Sequence, residues 1–203
     1  MEIVETANVI EKALQNSMSY AAYSDLLQEY AREGKTTGPT QNEDLIYYSK
    51  LNAQRSKRIT KTVHLNPKLV DKIAKLDQKN DWLLITESWC GDAANSVPVI
   101  AKLAELSENI DLRIVMRDAN TDLIDQFLTR GGRSIPKLIV LNSSNEVLFT
   151  WGPRPDEAQK LYDGWKNSEE KVPYKEFQVE LQKWYNQDGG SSLQQELLDL
   201  YLG

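Results

Sequence analysis

The sequence predicts an α/β protein: a mixed sheet flanked by helices, with a helical extension before it and extra helices after it. Three observations carry this expectation. Short apolar runs of strand type fall between residues 82 and 151 and alternate with helical patterns. The first 64 residues have helical spacing throughout, and the chain after residue 168 is again helical only. The expected division is therefore 1–64 as an N-terminal helical extension, 65–168 as the α/β domain, and 169–203 as a C-terminal helical extension.

Taken in order, residues 8–17 and 20–33 place apolar side chains three and four apart, among them Leu26, Leu27 and Tyr30, and Gly34 is a helix stop. The run Gly34-Lys35-Thr36-Thr37 has the end of a phosphate-binding loop, but Glu29 stands where the first glycine belongs and no strand precedes it, so that function is set aside. Thr40-Gln41-Asn42-Glu43 reads as a capping box opening a helix to about residue 61. Its basic residues, Lys50, Arg55, Lys57, Arg58 and Lys61, form either a solvated face or a docking surface for an acidic partner. His64 is expected to pack in the connector. Residues 67–78 then read as a helix, 82–86 as an apolar strand, 90–106 as a helix, 112–116 as a strand and 121–129 as a helix. After Gly131-Gly132 come strands at 137–141 and 146–151, joined as a hairpin through Ser143-Ser144-Asn145. Helices at 156–165 and 173–185 follow. Gly189-Gly190-Ser191-Ser192 then breaks the chain before an amphipathic turn at 193–200.

Composition removes several function classes. A net charge of −6 argues against general binding to nucleic acid or an anionic membrane, both of which need a positive surface. The start, Met1-Glu2-Ile3-Val4-Glu5, is acidic and lacks the basic and apolar regions of a signal peptide. The longest apolar run, Leu138-Ile139-Val140-Leu141, is far short of the roughly 18 residues that span a bilayer. The single cysteine excludes an internal disulfide, so packing must supply stability, and five tryptophans can contribute to a proper core. A lone thiol suits a reducing cytoplasm. One cysteine and one histidine do not assemble a zinc set, so no metal and no cofactor is expected. The sequence sets no oligomeric state.

The reactive-looking residue is Cys90, in Trp89-Cys90-Gly91-Asp92-Ala93 at a strand-to-helix junction. The first N–H groups of a helix lack intrahelical partners and carry the positive end of its dipole, which stabilises a thiolate. Asp92 opposes this because a second negative charge nearby is disfavoured. A modest depression of the thiol pKa is the expectation.

Trp89-Cys90-Gly91 after an apolar strand resembles the active site of the thioredoxin family. Pro98, eight residues on, stands where that family has a helix-kinking proline. Arg133-Ser134-Ile135-Pro136 is similar to its segment ending in a cis-proline beside the cysteine, and Gly152 ends the last strand as the family pattern has it. The resemblance spans residues 65–165, and the layout is similar to longer bacterial members with a helical N-terminal extension. The departures bear on chemistry. The family's second cysteine is Ala93 here, its intervening proline is Asp92, and its buried acid six residues before the cysteine is Leu84. In two-cysteine members the second thiol resolves the mixed disulfide and the acid helps move protons. Intramolecular dithiol chemistry is therefore excluded.

Two functions fit these residues. In the first, a monothiol oxidoreductase, Cys90 attacks a disulfide, sulfenate or peroxide, and an external thiol, protein or low-molecular-weight, releases the product. The resemblance implies that the backbone of Ile135 beside Pro136 pairs with an extended substrate. Arg133 either offsets Asp92 near the thiolate or caps a helix end, and Trp89 and Trp151 are partly core. In the second, the chain is a redox-silent binding module that holds a partner through the groove near Trp89 and Pro136 or through the basic helical extension.

Overall fold

The structure is a computed structural model describing residues 2–203, with side chains from residue 6 onward. Met1, where the expected extension begins, lies outside the described residues. Helices α1 (Glu2–Gln15), α2 (Tyr20–Glu33), α3 (Glu43–Thr62) and α4 (Pro67–Ala74) precede the sheet. The α/β part runs β1 (Asn80–Thr86), α5 (Gly91–Ala104), β2 (Ile110–Met116), α6 (Thr121–Gln126), β3 (Lys137–Asn142), β4 (Val147–Trp151) and α7 (Asp156–Asn167). Helices α8 (Tyr174–Asp188) and α9 (Ser191–Leu202) complete the chain.

Helix ends follow local chemistry. Ser19 Oγ accepts from Ala22 N–H at the start of α2, and Gly34 stops that helix at φ 66°, in the left-handed region. The cap of α3 is Asn42, whose Oδ1 accepts from Leu45 N–H at 2.9 Å, not the box expected at Thr40. Thr40 is left outside because Gln41 folds back onto Thr36, accepting from its N–H and donating to its carbonyl, so residues 36–41 form a loop. Two helices are shorter than expected. In the turn after α4, Asn109 Nδ2 takes the carbonyl of Leu76 at 2.7 Å. Beyond α6, Thr129 and Gly132 exchange both backbone hydrogen bonds across a turn with Arg130 at φ 51° and Gly131 at φ 76°, which withdraws Thr129 from the helix. Conversely, the turn expected near residue 193 is the full helix α9, begun by Asp188 accepting from Ser192 N–H.

The four strands lie in the order β2-β1-β3-β4. β1 pairs with β2 in parallel, across the α5 crossover, and with β3 antiparallel, and the β3–β4 hairpin is antiparallel. This is the mixed sheet flanked by helices that the alternation of elements predicts. β1 is central, and Trp82, Leu83, Leu84 and Ile85 are completely buried. Such burial on both faces explains why its sequence is a continuous apolar run rather than an alternating one. The outer edge of β2 is partly covered by the α1–α2 linker, where Met18 and Ile114 exchange backbone hydrogen bonds at 2.9 and 2.8 Å.

The main core takes in β1, β3, α5 and the apolar face of α9, through Leu193, Leu197 and Leu198. A second, smaller cluster joins α7 to α8 around Ala158, Phe177, Leu181 and Tyr185. His64 is exposed rather than packed; its backbone carbonyl, not its ring, accepts from Gln194. Among the described residues no helix is long and apolar enough to cross a membrane.

Candidate functional site

β1 delivers the chain through Glu87, Ser88 and Trp89 to Cys90, the N-cap of α5. Ala93 N–H donates to Cys90 Sγ at 3.4 Å, and the thiol donates to the carbonyl of Ile135 at 3.2 Å. Cys90, Ile135 and Pro136 are thus brought together, and the Ile135–Pro136 bond is cis. Gly152 lies against this segment at φ 111°, and a Cβ there would stand 2.2 Å from the Pro136 carbonyl oxygen. Ile135 and Pro136 are both buried, and the Ile135 carbonyl already accepts from the thiol. Trp89 is half-buried beneath the Arg117 guanidinium, 4.7 Å from its ring centre, while Trp151 is buried and its indole N–H donates to Glu196.

The electrostatics run opposite to the expected depression. Cys90 is only 8% exposed, and burial pushes its thiol up to about 12, with the Asp92 charge adding to the shift. The hydrogen bond from Ala93 N–H and the charge of Arg154 pull the other way but do not win. Ionising this sulfur would also set a thiolate 3.2 Å from a carbonyl oxygen, two acceptors with no proton between them.

Asp92 is itself buried and held by groups far along the chain. Arg154 Nε and Nη2 donate to its Oδ2 at 3.1 and 2.6 Å, and Tyr185 O–H donates to Oδ1 at 2.7 Å. Burial alone would lower the Arg154 pKa, but Asp92 outweighs it and raises it. The guanidinium also stacks over Tyr162, 4.4 Å from its ring centre. Arg133 plays neither role expected of it. It forms a two-pronged surface pair with Asp125, both contacts at 2.6 Å, so the cation beside Asp92 is Arg154. The signal available in the sequence was Arg154 itself, two residues past Gly152 and between two prolines.

α8 lies beside this site along a polar stripe. Gln178 accepts from Tyr48 O–H at 2.5 Å, Gln182 and Asn95 exchange hydrogen bonds at 3.2 and 3.0 Å, and Asn186 accepts from Arg58 at 2.6 Å. Positions 178, 182 and 186 share one helix face. The apolar side of α8 instead joins the small cluster with α7.

A second buried network latches the N-terminal helices to the loop before Cys90. Ser88 Oγ accepts from Thr37 N–H at 3.0 Å and bonds the hydroxyls of Thr36 and Ser49 at 3.1 and 2.7 Å. Asn52 Nδ2 donates to the Ser88 carbonyl, and Thr37 Oγ1 donates to Glu87. Glu87 also accepts from Asp118 N–H at 2.8 Å. Burial raises its pKa, against the pull of Thr37 and of that N–H. Leu84 stands at the family's acid position, yet the site still holds a buried acid three residues before Cys90. The sequence shows Glu87 in plain view, but nothing local marks it as buried. Gly91 faces outward, with Arg55 Nη1 3.8 Å from where its Cβ would stand.

A family model described as thioredoxin matches residues 38–169, so the match begins just before α3. The fold is similar to the crystal structure of a protein of unknown function from Pseudomonas aeruginosa, at TM-score 0.58 and 18% identity, covering 93% of each chain. It is also similar to the crystal structure of an HIV epitope-scaffold, at TM-score 0.53 and 18% identity, covering 90% of this chain and 97% of that one. No curated protein matches the chain.

Proposed function

Because the chain belongs to the thioredoxin family, we propose that it is a thioredoxin-fold protein-binding module whose one thiol is kept protonated and takes no part in turnover. The observation that carries this reading is the closure of Cys90. Its S–H is satisfied by the Ile135 carbonyl, burial and Asp92 disfavour the thiolate, and Ala93 supplies no resolving thiol. A buried cysteine of this kind acts as a small apolar side chain. The proposed place of action is the cytoplasm, where a lone thiol stays reduced. In this reading residues 1–64 and 169–203 are additions to the 65–168 domain and supply binding surface.

One observation favours monothiol exchange instead: Cys90 is the N-cap of α5 and receives Ala93 N–H, with Arg154 close enough to lower its pKa. In that reaction the thiolate sulfur would bond to one sulfur of a disulfide and the other would leave as a thiolate; an external thiolate would then bond to the substrate sulfur of the mixed disulfide and expel Cys90 as a thiolate. The two readings separate on acid-quenched lysates run without reductant. The binding-module reading expects wild type and Cys90→Ser to capture the same partners with no reductant-sensitive bands. Higher-mass bands that collapse with dithiothreitol and vanish in Cys90→Ser would overturn it.

A further inference from the structure

Between α3 and α8 lies an open groove of about 600 Å³, and Arg55, one of its lining residues, lies beside Gly91 at the start of α5. Its walls carry unusually exposed apolar side chains, Tyr47 at 62% and Val179 at 57%, with Leu51 between them and Arg55. Lys175 and Asp44 form an exposed pair at 3.2 Å between α8 and the start of α3, which leaves Asp44 matched.

Arg55 is the unusual residue. It is half-buried, and its one hydrogen bond among the described residues runs from Nη1 to Asn52 Oδ1, a neutral amide, at 3.1 Å. No ion pair among the described residues includes it; Arg32 and Arg58 also have none, but both are exposed, whereas Arg55 is half-buried. Burial lowers its pKa with no carboxylate to offset the cost. A guanidinium has five N–H donors in a rigid fork that matches a carboxylate, and here most of that fork is unused. The start of α5 adds the positive end of a helix dipole beside it, while Asp92 is turned away onto Arg154.

We infer that this groove is a peptide site, taking an extended acidic segment whose carboxylate pairs with Arg55 and whose apolar side chains lie against Tyr47, Leu51 and Val179. The direction of the charge follows from α3. Glu43 lines the opposite end, twelve positions before Arg55, which is about 18 Å of helix. An acidic side chain is favoured at the Arg55 end and disfavoured at the Glu43 end. That distance suits about five residues in extended form. Alternate side chains of an extended peptide share a face, so an apolar-x-apolar-x-acid order presents all three to the groove.

The inference rests on the binding-module reading but is tested apart from it. The probes are the blocked peptides acetyl-Phe-Ser-Leu-Ser-Glu-amide and its Gln counterpart, titrated into the ¹⁵N-labelled full chain. The Glu peptide is expected to shift the amides of Tyr47, Leu51, Arg55 and Val179, and to bind about tenfold more tightly than the Gln peptide. Arg55→Met should reduce its affinity to that of the Gln peptide. Arg55→Lys, which keeps the charge but not the fork, should fall between. Cys90→Ser should bind as wild type does. Equal affinity for the two peptides, undiminished binding by Arg55→Met, or shifts confined to other surfaces would overturn the groove assignment. The Gln comparison needs no variant, so it stands even if Arg55→Met misfolds. Failure here would leave the silent-thiol reading to its own capture test, and a reactive Cys90 would leave the peptide preference intact.

Discussion

Arg154→Met is expected to cost about 3–5 kcal/mol, because it strands the carboxylate of Asp92 in a site that is almost dry. The side chains of Arg154 and Asp92 are 12% and 10% exposed, so water can replace little of what is lost. Wild-type Asp92 receives two N–H donors from Arg154 and one O–H from Tyr185; the variant leaves it the tyrosine alone. Met keeps much of the apolar stem, which isolates the charge from the packing, although the contact with Tyr162 and the hydrogen bond to Gln159 also go. For a chain of this size the loss corresponds to a fall in Tm of roughly 10 °C. Urea denaturation of wild type, Arg154→Met, Asp92→Asn and the double variant closes a cycle. The double variant should recover at least about half of the loss, since no buried charge is then left unpaired. A single variant within about 1 kcal/mol of wild type, or a double variant no better than Arg154→Met, would show that Asp92 does not depend on Arg154 as its counter-charge.

Ser88→Ala should cost about 1–3 kcal/mol in urea, because Thr37 N–H loses its buried acceptor and the Thr36 and Ser49 hydroxyls lose a partner. Glu87, with its pKa raised by burial, contributes stability that is complete below its unfolded pKa and is lost as pH rises through the folded one. Glu87→Gln should therefore gain on wild type as urea midpoints are taken upward from pH 4, the gain levelling off once Glu87 is ionised in the folded protein; a gap independent of pH would contradict this. Gly152→Ala should yield insoluble protein or lose at least about 3 kcal/mol, since its Cβ would enter the Pro136 carbonyl at a φ that alanine resists. Gly164→Ala, exposed within α7 with nothing within 4 Å, should instead gain about 0.5–1 kcal/mol by thermal melting.

What was legible in the sequence was local. The apolar run at 82–86, the helix opening at Cys90 and the turn at 143–145 are short-range signals, and each lies where its pattern puts it. Gly34 ends α2 for the reason a glycine usually does. The errors arise where side-chain contacts or burial, which no periodic pattern shows, decide the outcome. Thr40 has capping chemistry, but Gln41 folds onto Thr36 and the cap passes to Asn42. The thiol pKa was expected to fall because the helix start is visible in sequence, whereas the burial that reverses it is not. Asp92 finds its partners 62 and 93 residues away, in Arg154 and Tyr185, and no periodicity in the chain links those positions. Family spacing marks position 84, which is Leu, as the place for a buried acid, whereas the burial of Glu87 depends on residues 36 and 37 folding over Ser88.

Whether Cys90 is held as a thiol is read from the pH profile of its alkylation by iodoacetamide, with urea-unfolded protein as the reference. A pKa of about 12 leaves roughly 1 part in 10⁵ ionised at pH 7, against about 3% for an ordinary cysteine near 8.5. The higher intrinsic nucleophilicity of a more basic thiolate recovers part of that difference. The native rate should therefore lie about 50- to 100-fold below the unfolded rate at pH 7.5 and rise about tenfold per pH unit without a plateau up to pH 10. A plateau with its midpoint below about 8.5, or a native rate at or above the unfolded one, would contradict it.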